Sequence, residues 1–154
     1  MSTYLHGEDF NETVLPHEMT HLIFREFVGV ETPLPLWLDE GIAVFMERSR
    51  RDERLDTIRG MAMLGMFIPL EKLTAIKADG LVMPRVFYAE AVSVIDFLLT
   101  RYGQDRFVEF CRALRDTNNW KAAMKAAYGL DTVAALNTEW VNALLQQADR
   151  RTAG

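Results

Sequence analysis

The sequence HEMTH at residues 17–21, followed by eighteen residues and then by Glu40 in the segment WLDEG, is the stretch that decides how this chain folds. On an α-helix, residues four positions apart lie on one face, so the imidazoles of His17 and His21 can reach a single ion. Glu18 projects beside them, where a carboxylate can act as a base toward water. Two neutral nitrogens and one carboxylate, with a fourth position open, are the ligand set of hydrolytic zinc sites. The pattern therefore predicts one Zn²⁺ per chain and peptidase chemistry.

The residues around the two histidines have the spacing of an amphipathic helix. Apolar residues recur at intervals of three and four positions, at Leu15, Met19, Leu22, Ile23 and Phe27. We therefore expect a metal-binding helix from about Thr13 to Phe27, in which Thr13 can cap the N-terminus and Pro16 occupies the first turn. The alternative interpretation is a buried helix with two histidines in the core or at the surface and no metal.

The identity of the third ligand is less constrained by the sequence. A metzincin would need a further histidine six residues after the motif, and this chain has a phenylalanine there. His6 lies upstream in a polar stretch and could reach the metal only by folding back. A carboxylate must then complete the set, with Glu40 as the leading candidate, Asp39 as its competitor, and Glu47 two helical turns further on a similar face. Glu40 could also be a solvated acid in the first turn of a helix, where the helix dipole favours it.

These segments resemble those of the gluzincin peptidases, a peptidase-MA-like group with the pattern HExxH, eighteen residues and then Glu. The most similar branch is the aminopeptidase-N-like one, whose second segment is WLxEGxAxYxE. Residues 37–47, WLDEGIAVFME, match it with Phe45 in place of the tyrosine. Residues 86–91, VFYAEA, are similar to the YxKGA-type helix start of that family. The resemblance covers about residues 13–103, and small bacterial peptidase-MA-like domains are the closest match in size and layout.

The resemblance implies a role for each matching residue. Zinc would be bound by His17, His21 and Glu40, and Glu18 would act as general base and then as general acid. Tyr88 matches the tyrosine that hydrogen-bonds the oxyanion of the tetrahedral intermediate. Without the resemblance, a tyrosine near the start of a buried helix is more often a half-buried anchor with its hydroxyl at the surface.

The chain also departs from the pattern of the family. The exopeptidase branch binds the free amine of its substrate with a Gly-x-Met-Glu-Asn strand, and no such segment occurs in this sequence. The resembling peptidases place a sheet before the metal helix, whereas residues 1–12 offer at most one short strand. We therefore expect a single domain over residues 1–154, the mainly α catalytic half of a zincin-like fold, from which the upstream sheet subdomain can be missing.

The rest of the sequence predicts a metal-binding helix plus a bundle of about five further helices, with little strand. Residues 1–10 form an extended lead-in. A second helix begins near Leu36, carries Glu40 in its first turn and continues through the charged residues after Glu47 to about Leu64. The remaining helices are expected at about 70–77, 85–102, 104–116, 119–128 and 132–149. The Asp79-Gly80 pair and Pro84 mark an exposed loop at the rim of a cleft.

Composition excludes several classes of protein. A hydrophobic content of 49% and a net charge of -5 are those of a globular domain, and the acidic balance argues against nucleic acid as the main partner. The single cysteine, Cys111, excludes an internal disulfide and a thiolate zinc site. No apolar stretch is long enough for a membrane span. The first residues lack the regions of a signal peptide, which indicates the cytoplasm if the chain is complete and an extracytoplasmic place if it is a fragment.

The leading hypothesis is a zinc-dependent peptidase that hydrolyses the bonds of a peptide or protein substrate with metal-activated water and Glu18 as the base. The alternative is a peptidase-like module that binds metal without turnover and serves peptide binding or structure. A third hypothesis is a helical structural domain whose metal, if any, only ties two helices together. Metal content separates the third hypothesis from the other two, and turnover on a mixed peptide library separates the first from the second.

Overall fold

The computed structural model describes residues 10–154, in which we find eight α-helices and no strand. The helices are α1 (Leu15–Val28), α2 (Leu36–Phe45), α3 (Arg48–Met63), α4 (Leu70–Ala75), α5 (Pro84–Tyr102), α6 (Gln104–Thr117), α7 (Trp120–Tyr128) and α8 (Val133–Thr152). The predicted mainly α fold is confirmed, with seven helices besides the metal-binding helix where about five were expected. The predicted lead-in over residues 1–10 lies almost entirely outside the described residues, as does His6.

Helix α5 forms the centre of the fold. Ten of its nineteen residues are buried, and α2, α3, α6 and α8 all contact it. A helix that is apolar on most sides is stable only when neighbours cover it, so the composition of α5 explains its central position. Across residues 10–154, no helix combines the length and the hydropathy that a membrane span requires.

Two tryptophans anchor the outer helices to this core. Trp37 of α2 and Trp140 of α8 are almost completely buried. The indole nitrogen of Trp37 donates a hydrogen bond of 3.0 Å to Thr74 Oγ1, and that of Trp140 donates one of 3.0 Å to Ser93 Oγ. Both rings therefore bury a large apolar area without leaving their N–H groups unpaired.

Helix α2 lies unusually close to α5. A Cβ atom at Gly41 would be 2.7 Å from the carbonyl oxygen of Ala91, closer than such atoms can approach. Glycine is required there because only the absence of a side chain lets the two backbones touch. This contact sets the position of α2, which contains Glu40, relative to α5, which contains Tyr88.

The expected single helix from Leu36 to about Leu64 is wrong. The chain instead turns at Met46 and Glu47, where Glu47 has extended backbone (φ -78°, ψ 91°), and α3 begins at Arg48. The physical reason is that α2 buries six of its ten residues whereas α3 buries only three of its sixteen. The change of direction lets each helix bury its own apolar side chains and turns the Glu47 side chain, only 4% exposed, into the interior.

Helix α1 begins at Leu15, two residues later than expected, after one π-helical turn at Phe10–Val14. Thr13 does not cap α1; it is buried in that turn, with its hydroxyl 3.3 Å from Ser49 Oγ. Pro16 lies in the first turn of α1, as predicted.

The apolar stripe predicted on α1 does not face the core. We call it the apolar face of α1, and it consists of Leu15, Met19, Leu22, Ile23 and Phe27, all of them exposed. Leu22 and Ile23 have exposed fractions of 72% and 64%. The helix packs on α2 and α6 through Phe24 and Val28 instead, so the side of α1 that bears the histidines is also the side that contacts the rest of the domain.

Burial raises the pKa values of several side chains in and around the core, among them Glu90 and Cys111. Glu90 of α5 is completely buried, and one of its oxygens accepts a hydrogen bond from the backbone N–H of Ile68 while the other has no partner. Burial raises the pKa of Glu90 to about 7. Cys111 of α6 is a partly buried free thiol, and burial raises its pKa to about 11.

Candidate metal centre

His17 and His21 come together on the side of α1 that faces α2. Their Nε2 atoms are 3.1 Å apart, and the rings meet edge to face with centroids 4.7 Å apart. Glu40 of α2 lies opposite them, with its Oε2 atom 3.4 Å from the Nε2 of His17 and 3.5 Å from that of His21. Three potential ligand atoms from two helices therefore form one small triangle.

The dimensions of this triangle fit a tetrahedral ion. Ligand atoms about 2.0–2.1 Å from zinc are separated by about 3.3–3.4 Å when the angles are tetrahedral. The observed separations of 3.1, 3.4 and 3.5 Å are close to that value. His17, His21 and Glu40 thus form a group that could hold a metal ion. Each of these side chains is about one-fifth exposed, so solvent can reach a fourth position.

The outer nitrogens of the two imidazoles contact carboxylates. The Nδ1 atom of His17 is 2.6 Å from Glu47 Oε1, and the Nδ1 atom of His21 is 3.4 Å from Asp39 Oδ1. When Nδ1–H donates to a carboxylate, the lone pair of Nε2 is directed to the opposite side, here toward the centre of the triangle. This is the arrangement that surrounds histidine ligands in metalloproteins.

Asp39 and Glu47 were alternatives to Glu40 as the third ligand. The structure brings both of them to the outer side of the imidazoles and Glu40 to the inner side. The prediction that Glu40 and Glu47 lie on a similar helical face is wrong, because the chain turns between them. Sequence reasoning therefore identified these acids as close to the site and did not foresee that they would support the histidines.

An arginine lies behind each outer carboxylate. Arg25 donates to Asp39 Oδ2 from Nη2 at 2.8 Å and from Nε at 3.2 Å. The Nη1 atom of Arg54 lies 3.4 Å from Glu47 Oε2. Although burial opposes it, hydrogen bonds with His21 and then Arg25 lower the pKa of Asp39. The two outer carboxylates in turn hold the imidazoles. Neither arginine was singled out from the sequence, although Arg25 lies one helical turn after His21 and the i, i+4 spacing could have found it.

Contacts within the triangle and with the two outer carboxylates shift the pKa values of its members. Hydrogen bonds to Glu40 and then Glu47 raise the pKa of His17 to about 9. Hydrogen bonds to Asp39 and then Glu40 raise that of His21 to about 10. The same contacts with His17 and His21 lower the pKa of Glu40 to about 2. The site therefore attracts positive charge, and a metal ion that binds there has to displace protons from the imidazoles.

Glu18 lies between the two histidines in sequence and outside their triangle in space. Its side chain is exposed and makes no hydrogen bond or ion pair with any residue in the range 10–154. A carboxylate in this position keeps its lone pairs available to solvent next to the site, as the role predicted for it requires.

Tyr88 is in the second turn of α5 and close to Glu40. Partial burial and the negative charge of Glu40 raise the pKa of its hydroxyl, which therefore keeps its proton near neutral pH. The guanidinium carbon of Arg54 lies 5.3 Å from the centroid of the tyrosine ring. Tyr88 is thus placed beside the triangle with a hydroxyl that can donate a hydrogen bond.

A cleft of about 370 Å³ opens next to Tyr88, between α3 and the start of α5. We call it the arginine cleft, and its lining includes Arg50, Glu53, Arg54, Thr57, Arg85 and Tyr88. Tyr88 and Arg54 connect this cleft with the residues around the triangle. Of the predicted cleft rim, Pro84 at the start of α5 lines this cleft, whereas Asp79 and Gly80 do not.

In a comparison with known proteins, the family described as the Peptidase MA superfamily matches residues 8–146. The match includes both histidines, Glu40, Tyr88 and all of the helices except the end of α8. No curated protein and no solved structure matches significantly.

Proposed function

This chain belongs to the Peptidase MA superfamily, and we propose that it is a zinc-dependent peptidase of the gluzincin type. The observation that supports the proposal most directly is the triangle of His17, His21 and Glu40, whose dimensions fit tetrahedral zinc. In this proposal, these three side chains hold one Zn²⁺, and Asp39 and Glu47 hold the imidazoles in the required orientation.

When bound, such an ion supplies Lewis-acid chemistry, because it lowers the pKa of a water molecule and polarises a carbonyl group. Glu18 accepts the proton of the water as it attacks the scissile carbonyl carbon, and then delivers that proton to the departing amine. Tyr88 donates a hydrogen bond to the carbonyl oxygen as negative charge develops on it. The raised pKa of Tyr88 keeps the donated proton in place at neutral pH.

Our proposal includes the resemblance to the aminopeptidase-N branch for the metal ligands and not for recognition of a free amine. The spacing HExxH, eighteen residues and Glu is that of the branch, whereas the segment that binds a free amine does not occur in the sequence. We therefore propose cleavage of internal peptide bonds. A substrate without a free amino terminus near the scissile bond should be accepted as readily as one that has it.

The test measures metal and turnover on the same samples. Wild type should contain about one zinc per chain, and Glu40→Gln should lose stoichiometric zinc. Glu18→Gln should keep the zinc content and the thermal stability of wild type. It should cleave a mixed peptide library more slowly by a factor of about 10²–10⁴. Metal content is read by elemental analysis and turnover by mass spectrometry of the library.

Two outcomes contradict the proposal in different ways. Unchanged zinc in Glu40→Gln, His17→Ala and His21→Ala would show that the triangle is not the metal site. Equal turnover by wild type and Glu18→Gln would show that any cleavage comes from elsewhere.

A metal-binding module without turnover is the second candidate function. It is favoured by the absence of any strand among residues 10–154, since peptides commonly bind in clefts by pairing their backbone with the edge of a sheet. Zinc bound at one per chain, together with no cleavage of any library peptide by wild type, would support this candidate over the first.

A further inference from the structure

The arginine cleft has a charge that differs from that of the chain as a whole. The protein has a net charge of -5, yet among residues 10–154 three arginines and a single acid line this one cleft of about 370 Å³. Arginine side chains that share a cavity repel one another, and an anion between them relieves the repulsion. The composition of the cleft therefore indicates a site for an anionic group.

The arginines of the cleft differ in the contacts that they already make with other side chains. Arg54 is partly buried, lies near Glu47 and stacks over the ring of Tyr88. Arg85, in the first turn of α5, is exposed and makes no hydrogen bond or ion pair with any other residue of the described chain. Its guanidinium fork is therefore available to a ligand, and such forks bind carboxylates through two parallel hydrogen bonds.

The position of the cleft connects it with the proposed chemistry. Tyr88 lies at the boundary, because it lines the cleft and is close enough to Glu40 for that charge to raise the pKa of its hydroxyl. Tyr88 and Arg54 both line the cleft, and the guanidinium carbon of Arg54 lies 5.3 Å from the centroid of the Tyr88 ring, so the cleft begins directly beside the tyrosine. A substrate whose scissile carbonyl lies at the Tyr88 hydroxyl would thus place a nearby side chain or its C-terminus in the cleft.

We propose that the arginine cleft is a substrate subsite for a carboxylate, so that the protein prefers peptides with an acidic group close to the scissile bond. The carboxylate comes either from an aspartate or glutamate side chain or from the C-terminus of the peptide. This inference rests on the proposed peptidase function and specifies the substrate class of the same site. A singly charged carboxylate suits the cleft better than a phosphate dianion, because Glu53 lines the cleft and Glu47 lies behind Arg54.

The test uses four short alanine-rich peptides with an N-terminal fluorophore. They carry a central Glu or a central Gln, and each form has a free or an amidated C-terminus. Binding is measured by fluorescence anisotropy with Glu18→Gln protein, so that cleavage does not interfere, and kcat/KM is measured with wild type. We expect at least one carboxylate-bearing peptide to bind about tenfold more tightly than the peptide with Gln and an amidated end.

Variants of the cleft then show whether Arg85 is responsible, with Arg101→Gln on the same helix as the matched control. In the Glu18→Gln background, Arg85→Gln should reduce the preference to less than about threefold, with unchanged zinc content. Arg85→Glu should abolish the preference for a carboxylate, and a fifth peptide with a central Lys should then bind more tightly than the peptides with Glu. Arg101→Gln should keep the preference of the unsubstituted cleft.

The four peptides also identify the source of the carboxylate. A preference that follows the central Glu in amidated peptides assigns the subsite to a side chain, and one that follows the free end assigns it to the C-terminus; both support the proposal. Equal affinity for all four peptides, or a preference that survives Arg85→Glu, overturns it. If the subsite is overturned in this way but cleavage still depends on Glu18, the peptidase function stands. If the preference depends on Arg85 but no peptide is cleaved, the subsite is supported and the peptidase function is contradicted.

Discussion

Glu47 is the residue that connects the metal triangle with the arginine cleft. It is almost fully buried, with one oxygen 2.6 Å from Nδ1 of His17 and the other 3.4 Å from Nη1 of Arg54. An ionised carboxylate in this position directs the proton of His17 to Nδ1 and so leaves Nε2 available for a metal. Its effect on the site therefore goes through the histidine.

We predict that Glu47→Gln lowers zinc affinity by about 10–100-fold while the fold is retained, because the amide accepts the hydrogen bond of His17 without the negative charge. The measurement is a competition titration against a chromophoric zinc chelator. Glu71→Gln, at an exposed position of α4, is the control and should bind zinc as wild type does. Equal affinity of both variants would show that the charge of Glu47 is unimportant for the site.

Glu90 gives a pH dependence of stability that is separate from the metal site. Its pKa is raised from 4.5 to about 7, so between these values the folded chain holds a proton that the unfolded chain has released. Its contribution to stability is complete below about pH 4.5 and is lost as the pH rises through about 7. The corresponding loss in the free energy of unfolding is about 3 kcal/mol.

We predict that Glu90→Gln removes this loss, because the amide resembles the protonated acid at all pH values. Urea unfolding at several pH values between about 4.5 and 8 measures the difference between the variant and wild type. Glu71→Gln again serves as the control and should leave the wild-type pH profile unchanged. If Glu90→Gln and wild type lose the same free energy over this range, the carboxyl group of Glu90 is not protonated in the folded chain.

The three residues of the triangle could be predicted from the sequence, whereas the side chains that contact their outer atoms could not. The i, i+4 spacing of His17 and His21 predicted a shared face, and the structure brings Glu40 to that face as well. The role of these residues as ligands stays a prediction. Glu47 faces His17 only because the chain turns after α2, and Arg54 follows from the direction of α3. Such orientations depend on packing between helices, which no local pattern contains.

At the scale of single helices, the periodicity of apolar residues predicted the positions of the helices well. It predicted less well which side of a helix is buried. The apolar face of α1 has the spacing expected of a core-facing stripe, but Phe24 and Val28 are the side chains that pack on the domain. The turn between α2 and α3 has neither proline nor glycine at Met46 and Glu47. The break arises from the different burial of the two helices, so tertiary packing overrides the local helical preference there.

The contact between α2 and α5 leads to a prediction about two glycines. Gly41→Ala should lower the free energy of unfolding by about 1–3 kcal/mol, because the new methyl group would meet the carbonyl of Ala91 and Cγ1 of Ile95. It should also weaken zinc binding, since α2 has to move away with Glu40. Thermal unfolding and zinc titration measure the two effects.

Gly60→Ala on α3 is the matched control for this substitution. A Cβ atom at Gly60 has open space around it, so alanine should stabilise the helix by up to about 1 kcal/mol and leave zinc binding unchanged. A neutral effect of Gly41→Ala would show that the two helices can separate without cost.

At the scale of the whole molecule, stability is unevenly distributed. Helix α5 buries ten side chains and is covered by four other helices, whereas α1 buries only Phe24 and Val28. Regions with few buried contacts open locally at a lower free energy than the core does. The histidines are on a helix with few buried side chains, and Glu40 is on a helix packed directly against α5.

We predict that zinc protects α1 from hydrogen exchange far more than it protects α5. In protein treated with a chelator, the amides of α1 should exchange well before those of α5, and addition of zinc should slow them because the ion ties α1 to α2. Exchange measured by mass spectrometry with and without zinc tests this. His21→Ala should show the fast exchange of α1 under both conditions, and equal protection of both helices would contradict the prediction.

The chemistry of the single thiol has a practical consequence for work on this protein. Cys111 is partly buried and has a pKa of about 11, and only thiolates react readily with alkylating reagents. At neutral pH an exposed, unperturbed cysteine therefore reacts about a hundredfold faster than the native one. A cysteine introduced on the surface, for example by Arg85→Cys at the rim of the arginine cleft, can be labelled selectively without removal of Cys111. A dye, a spin label or a tethered fragment can thus be attached at one defined position of an otherwise unmodified chain.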